Sequence, residues 1–305
     1  MLKYILRDIY GNVTSLKNPL KVSFISSDDA PADRLTAVFA VTENIQPLMS
    51  VEVLDGLKRV FFGYVDTQTD EQTVNGMILT ISARSLACIL LDNEALPQTY
   101  CMVSMRDLME RHFIPLGFTE FKGTEKTFDD EFTVSKGMSE WAVLSEFCKK
   151  FTGTSPKINC NGMIDISGEN DGKAVYISSS RCISKKHTLK RHLLISEIMV
   201  RAETANGYVM PFKDDFANAL GIRKRRYLNA VDSKNLSPFS AGKILENADN
   251  HYEQIILNVS GCVLCTVGME LIIDNEDKKY IIKEIQYSLG DSGEHTKIYA
   301  EVKYI

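Results

Sequence analysis

VEVLDGLKRVFFGYVDTQTDEQTVNGMILTISAR, residues 51–84, and ELIIDNEDKKYIIKEIQYSLGDSGEHTKIYAEV, residues 270–302, follow one hydrophobic and turn pattern. Each reads as an apolar strand, an acidic turn (Asp55-Gly56 or Asp274-Asn275), a second apolar strand (61–65 or 280–285), a polar turn holding Asn75-Gly76 or residues 290–293, and a closing strand. In the closing strands Met77, Leu79 and Ile81, and then Ile298, Ala300 and Val302, recur at every second position. That period of two marks strands with one face buried. The pattern predicts one β unit built twice and separated by an insertion.

Outward from these two stretches, residues 2–97 read mostly as strand, with further strands at 21–26 and 34–42 and turns at Asn18-Pro19 and 27–31. A short helix is expected over 83–91. From Met102 to about Ile177 the character becomes α+β. Ser104 is placed to cap a helix bearing Met105, Leu108, Met109 and Phe113 at helical spacing, ending before Pro115 and Gly117. Ser139 caps a second helix with Trp141 in its first turn and Val143, Leu144, Phe147, Cys148 and Phe151 on its apolar side, stopped by Gly153. Residues 157–166 read as a hairpin around Asn161-Gly162. Strands return from about 178, including 193–203, with an irregular excursion at 211–240, a helix at 241–252 and a strand at 255–259 that leads into the second copy. The predicted class is β-rich α+β: a first barrel domain at 1–97, an inserted α+β domain at 98–178 and a second barrel domain at 179–305.

The chain has 305 residues, 44% of them apolar, and a net charge of −5. Its apolar runs fall short of the ~18 residues of a membrane span, and the charged N-terminus MLKYILRD does not read as a secretory signal. Seven scattered cysteines, Cys88, Cys101, Cys148, Cys160, Cys182, Cys262 and Cys265, fit a reducing compartment better than a disulfide framework. Charge is uneven: residues 181–226 hold eleven Lys/Arg and four Asp/Glu, so the rest of the chain is acidic. Such a segment favours docking between copies or on acidic partners. The run Arg223, Lys224, Arg225, Arg226 reads as a loop or protein contact in preference to a nucleic-acid reader.

Catalytic patterns are missing from the sequence. Cys262 and Cys265 form a CxxC with no second ligand pair at zinc spacing. Residues 168–174 have the glycines and lysine of a phosphate loop at the wrong spacing and read as a turn. There is no HExxH and no GxSxG. The carboxylates Asp129, Asp130, Glu131 and Glu140 read as scattered acids. His112 and His251 read as packing or capping residues, and His295 as a turn residue or a contact to a neighbour. No cofactor or metal is implied, and the expectation is a structural protein without enzyme activity.

Residues 132–144, FTVSKGMSEWAVL, look like the opening of a LysM peptidoglycan-binding module, with Trp141 as the wall-binding candidate. The succession FFGYVD at 61–66 with LTISARSL at 79–86, GMSEW at 137–141, GCVL at 261–264 followed by Val267-Gly268, and YIIKEI at 280–285 running to GEHT at 293–296 resembles the central baseplate hub proteins of contractile phage tails, the late control D-like family. The resemblance implies two tube-protein-like barrels flanking an inserted domain, with three chains forming a ring. That ring would present six similar units, a symmetry adaptor between a sixfold tail tube and a threefold spike. Implied partners are two further copies of the chain, the tube protein, a separate spike protein (expected because the chain ends at Ile305), and tape-measure and baseplate wedge proteins. Neither nucleic-acid sequence recognition nor membrane insertion is implied. Assembly would take place in the bacterial cytoplasm and the finished protein would sit in a phage tail, tailocin or other contractile particle. Barrel-wall residues expected to contact neighbouring copies or the tube are Val51, Val53, Phe61, Phe62, Tyr64, Leu271, Ile273, Tyr280 and Ile282. The alternative reading is a cell-wall-binding or wall-degrading tail protein that uses the LysM-like segment.

Overall fold

The computed structural model of the chain describes residues 2–74, 76–168, 173–201, 207–229 and 241–302. Seven strands form the first half: β1 (Leu2–Asp8), β2 (Val13–Leu16), β3 (Lys21–Ser27), β4 (Ala30–Val41), β5 (Leu48–Asp55), β6 (Lys58–Thr73) and β7 (Gly76–Ser85). They pair in the order β2-β1-β5-β6-β7-β4-β3. Laid flat, seven strands would separate the outer two by about 29 Å at ~4.8 Å per strand. Yet β2 and β3 are joined by residues 17–20 alone, and five residue steps reach no more than about 18 Å. The sheet therefore curls on itself. Ring contacts across the interior confirm the curl: Tyr4 of β1 meets Phe39 of β4 at 5.2 Å although three strands lie between them, and Phe24 of β3 meets Phe61 of β6 at 5.9 Å. The inward faces supply a core that includes Leu6, Leu35, Val51, Leu79 and Ile81, each at most 2% exposed.

A short helix α1 (Ala87–Asp92) leads into the insert, whose elements are β8 (Gln98–Tyr100), α2 (Met105–Leu108), β9 (Phe121–Lys122), β10 (Phe132–Val134), α3 (Glu140–Phe147), β11 (Lys157–Ile158) and β12 (Ile164–Asp165). Ser104 caps α2 reciprocally: its Oγ accepts from the Asp107 N–H, and Asp107 Oδ2 accepts from the Ser104 N–H. Both helices are shorter than the apolar spacing predicts. Each widens into a π-type turn, Met109–Phe113 or Cys148–Thr152. Gly153 (φ 70°) ends the second in the left-handed conformation. The two helices and their turns bury Leu108, Phe113, Leu144 and Phe147 in a separate core. β11 and β12 pair as the hairpin expected around Asn161-Gly162.

The second half repeats the first. β13 (Ala174–Ile177) and β14 (Cys182–Leu189) are joined by residues 178–181. A small subdomain follows: β15 (Glu197–Arg201), β16 (Tyr208–Lys213), α4 (Asp215–Ala219), β17 (Arg225–Leu228) and α5 (Ala241–Asn250), with sheet order β16-β15-β17. The chain then completes the barrel with β18 (Glu253–Ser260), β19 (Glu270–Ile273), β20 (Lys279–Gly290) and β21 (Gly293–Val302). Its pairing order, β13-β19-β20-β21-β18-β14, again has outer strands linked by a four-residue connection, so this sheet also closes on a core of Ile255, Leu257, Leu271, Ile282 and Ile298.

Strand for strand, β1, β5, β6, β7, β4 and β3 correspond to β13, β19, β20, β21, β18 and β14. One difference is that β1 runs antiparallel to β5 whereas β13 runs parallel to β19. Among the described residues the second copy has a single strand in place of the β1–β2 hairpin, and that strand must run in the direction of β2 to feed the short connection into the next strand.

The excursion expected to be irregular at 211–240 contains the second half of β16 and all of α4 and β17; its residues 230–240, like Asn75 and residues 169–172 of the two predicted turns, lie outside the described residues. The strand expected at 193–203 is Glu197–Arg201, preceded by a 3-10 turn, Arg191–Leu193, and residues 202 and 203 lie outside the described residues.

Candidate assembly surface

The two barrels share one sheet. Residues 284–289 of β20 pair antiparallel with β3, from Glu284 opposite Ser27 to Leu289 opposite Val22, so thirteen strands form a single sheet over two cores. β20 spans both: Ile282 and Ile285 face the second core and Tyr287 the first. Backbone hydrogen bonding at this seam replaces a flexible linker with a ladder, which fixes the angle between the barrels.

The hairpins of the two copies superpose without a gap. β6 and β7 slip register between Val65 and Thr67, and β20 and β21 slip between Ile282 and Glu284. Val65 opposite Ala83 thus answers to Ile282 opposite Ala300, and both hairpins turn across two residues, after Thr73 and after Gly290. Beyond the slip the copies differ in what they meet. In β20 the outer half lies on β3. In β6 the ladder to β5 ends at Tyr64, and the outer half pairs with β7 on one side while Asp66, Thr67, Asp70, Glu71 and Gln72 are exposed.

Of the nine barrel-wall residues expected at contacts, Val51, Val53, Phe61, Leu271, Ile273, Tyr280 and Ile282 are buried in the chain's own two cores, none more than 4% exposed. Their side chains are occupied inside the subunit. Phe62 and Tyr64 alone point outward and are half-buried. Their rings meet edge-on at 6.1 Å, and the Arg59 guanidinium, ion-paired to Glu52 at 2.6 Å, lies 5.1 Å from the Phe62 ring. Sequence alternation shows that Phe61 and Phe62 lie on opposite faces of one strand, and the packing of the barrel decides that Phe62 is the outward one.

Trp141 does not stand free on the surface. It packs against the insert core and lines a cavity of about 500 Å³ that the insert, the β3–β4 turn and the loop after β18 enclose with the first barrel. The LysM-like reading meets a different topology, because β10 pairs with β8, which precedes it, and α3 leads into the β11–β12 hairpin with no second helix between them.

Several of the titratable groups singled out in the sequence are engaged within the fold. His112 Nδ1 lies 2.9 Å from Glu140 Oε2, and its Nε2 is 2.9 Å from Tyr100 Oη, all within the insert. His251 Nδ1 is 2.7 Å from Glu301 Oε2, beside the second barrel. Burial pushes the Cys265 thiol up to about 12 and raises Cys262 as well, so neither is held as a thiolate. Within the basic run, Lys224 Nζ donates to the His192 carbonyl and Arg225 pairs with Glu197, which fixes part of it as a strand of the small sheet. Among the described residues no group of three or more His, Cys, Asp and Glu side chains is arranged to hold a metal ion.

Solved structures with the same architecture include a tail protein from Neisseria meningitidis MC58, at TM-score 0.76 and 15% identity over 98% of this chain and 96% of that one. The fold is that of phage tail proteins. The prophage MuSo2 43 kDa tail protein from Shewanella oneidensis also matches at TM-score 0.76, with 13% identity over 98% of both chains. A third, from E. coli, is described as a component of the type VI secretion system with structural similarity to the T4 bacteriophage tail proteins gp27 and gp5; it matches at TM-score 0.64 and 10% identity, over 99% of this chain and 77% of that one. No protein-family model and no curated protein matches the sequence.

Proposed function

We propose that this chain is the central hub of a contractile-tail baseplate, in a phage, a tailocin or a related injection particle. Three copies form a ring of six similar barrels that joins a sixfold tail tube to a threefold spike. The observation that carries this reading is the repeat itself: two barrels of one strand order in one chain, held edge to edge by the β20–β3 ladder. A chain with two equivalent units converts threefold symmetry into pseudo-sixfold symmetry without further parts. The shared fold with tail proteins supports the setting. The role is structural, with no cofactor. Tube protein, a separate spike, tape-measure protein and baseplate wedges are the partners, and Phe62 with Tyr64 is the outward aromatic pair offered to one of them. The chain assembles in the bacterial cytoplasm before it enters the particle.

Co-expression with the spike protein of the same particle tests this. The expected complex contains three copies of the 34.3 kDa chain per spike trimer. A complex with one or six copies would overturn the reading.

A further inference from the structure

The seam inside the chain has a counterpart that the chain leaves open at both sides. At the seam, the outer half of β20 lies on the second edge of β3. By the strand correspondence, β6 answers to β20 and β14 answers to β3. Among the described residues, residues 67–72 of β6 form a ladder with β7 alone, the Gln68 side chain bonding the Leu48 N–H and the Ile45 carbonyl beside it, and β14 forms a ladder with β18 alone. β14 is the end strand of the sheet, and residues 183–187 along it are exposed. We infer that the outer half of β6 in one copy pairs antiparallel with β14 of the next copy, in the register of the β20–β3 seam.

That register follows from the ladders. Ala37 on β4 and Leu257 on β18 stand opposite the equivalent residues Ile81 and Ile298, so their other partners, Val22 and Lys185, are equivalent. By the same route through Leu35 and Ile255, Phe24 answers to His187. The seam pairs Tyr287 with Phe24, Ser288 with Ser23 and Leu289 with Val22. Transferred to the open edges, it sets Asp70 opposite His187, Glu71 opposite Lys186 and Gln72 opposite Lys185.

Charge was not used to derive this register, and yet it sets the acids of β6 against the basic residues of β14. Opposite charges directly across a ladder stabilise it, while like charges there oppose it. The same charges explain why the lone chain can leave two edges open, since charged edges resist indiscriminate strand pairing. His187 already touches Glu253 at 2.8 Å and Lys185 touches Glu276 at 2.5 Å, so both are held in place on the surface before a neighbour arrives. The two open edges differ from each other, so the contact runs head to tail and repeats around a ring. The seam within the chain pairs uncharged residues over its outer half, Tyr287 to Leu289 on Phe24 to Val22, whereas the corresponding stretch between chains is charged, which predicts an assembly more salt-sensitive than the subunit.

This inference rests on the ring proposed above, and a disulfide trap separates the two. Directly opposed residues have Cα atoms about 4.5–5.5 Å apart, within disulfide range. Full-length chains carrying Glu71→Cys with Lys186→Cys, or Asp70→Cys with His187→Cys, are oxidised and run without reductant, beside the wild type and the single variants as controls for the native cysteines. Glu71→Cys with His187→Cys is the off-register control, because those side chains leave opposite faces of the ladder. The expected result is a ladder of linked chains that ends at three, in the two opposed pairs alone. A chain that is trimeric by light scattering yet does not link would overturn the strand pairing and leave the ring standing. A chain that neither associates nor links at any concentration would overturn both. In a second measurement, E71K and K186E each weaken self-association about fivefold, as a reversed cross-strand pair should, and the double swap restores it. Failure of the double swap to restore association would count against the register.

Discussion

Gly63 sits in β6 opposite Ser85 of β7. A Cβ there would run into the backbone carbonyl of Arg84 and the ring of Phe61. Because the obstacle is partly backbone, Gly63→Ala should destabilise the chain by about 1–3 kcal/mol, read as a lower urea midpoint; an unchanged midpoint would show that β7 can yield. His112 and Glu140 form a buried pair between the π-type turn after α2 and the first turn of α3, at 1% and 6% exposure. Removing one partner strands the other, so His112→Ala should cost about 3 kcal/mol, measured by the same unfolding curve. The sequence identified His112 as a packing residue but not its partner, because residues 28 apart meet only once the two helices have docked. The same limit governs the barrel walls. Period two shows that a strand has two faces, and knowing which of Phe61 and Phe62 turns inward requires the neighbouring strands.

At the scale of elements, the docking of α5 on the small subdomain brings Asp249 to the N-cap of α4. Burial and a hydrogen bond with the Asp214 carboxyl push Asp249 up to about 7. In the unfolded chain an aspartate titrates near pH ~3.9. Between these values the folded protein holds a proton that the unfolded chain has released, so this group's contribution to stability falls as pH rises from about 4 to 7. Asp249→Asn cannot ionise and keeps a donor toward Asp214. The melting temperature of the variant relative to wild type should therefore increase from pH 5 to pH 8, and a difference that stays flat would place the proton elsewhere. This subdomain was the least legible part of the chain. Its strands are short, β16 is exposed along its whole length, and β15 gains its second partner, the parallel β17, only after α4 has carried the chain back. By contrast Ser104 and Ser139 marked both helix starts of the insert, because a cap is a local interaction.

For the whole molecule, the repeat was legible as three strands per copy because hairpins are contiguous in sequence. The strands expected at 21–26, 34–42 and 255–259 are β3, β4 and β18, but how they join the repeated strands, and the seam between the barrels, were not legible, since those joins pair distant segments. β20 meeting β3 across more than 250 residues leaves no local pattern beyond two ordinary alternating strands. Two barrels curled by four-residue connections and joined by a ladder make a rigid double unit, and a rigid double unit is what a threefold ring beneath a sixfold tube requires. A map of the intact particle at the junction of tube and spike, reconstructed with threefold symmetry, tests this claim most directly. Three copies in one ring, each placing its two barrels under two neighbouring tube subunits, is the predicted result; the chain absent from the axis, or present there in one or six copies, would contradict it.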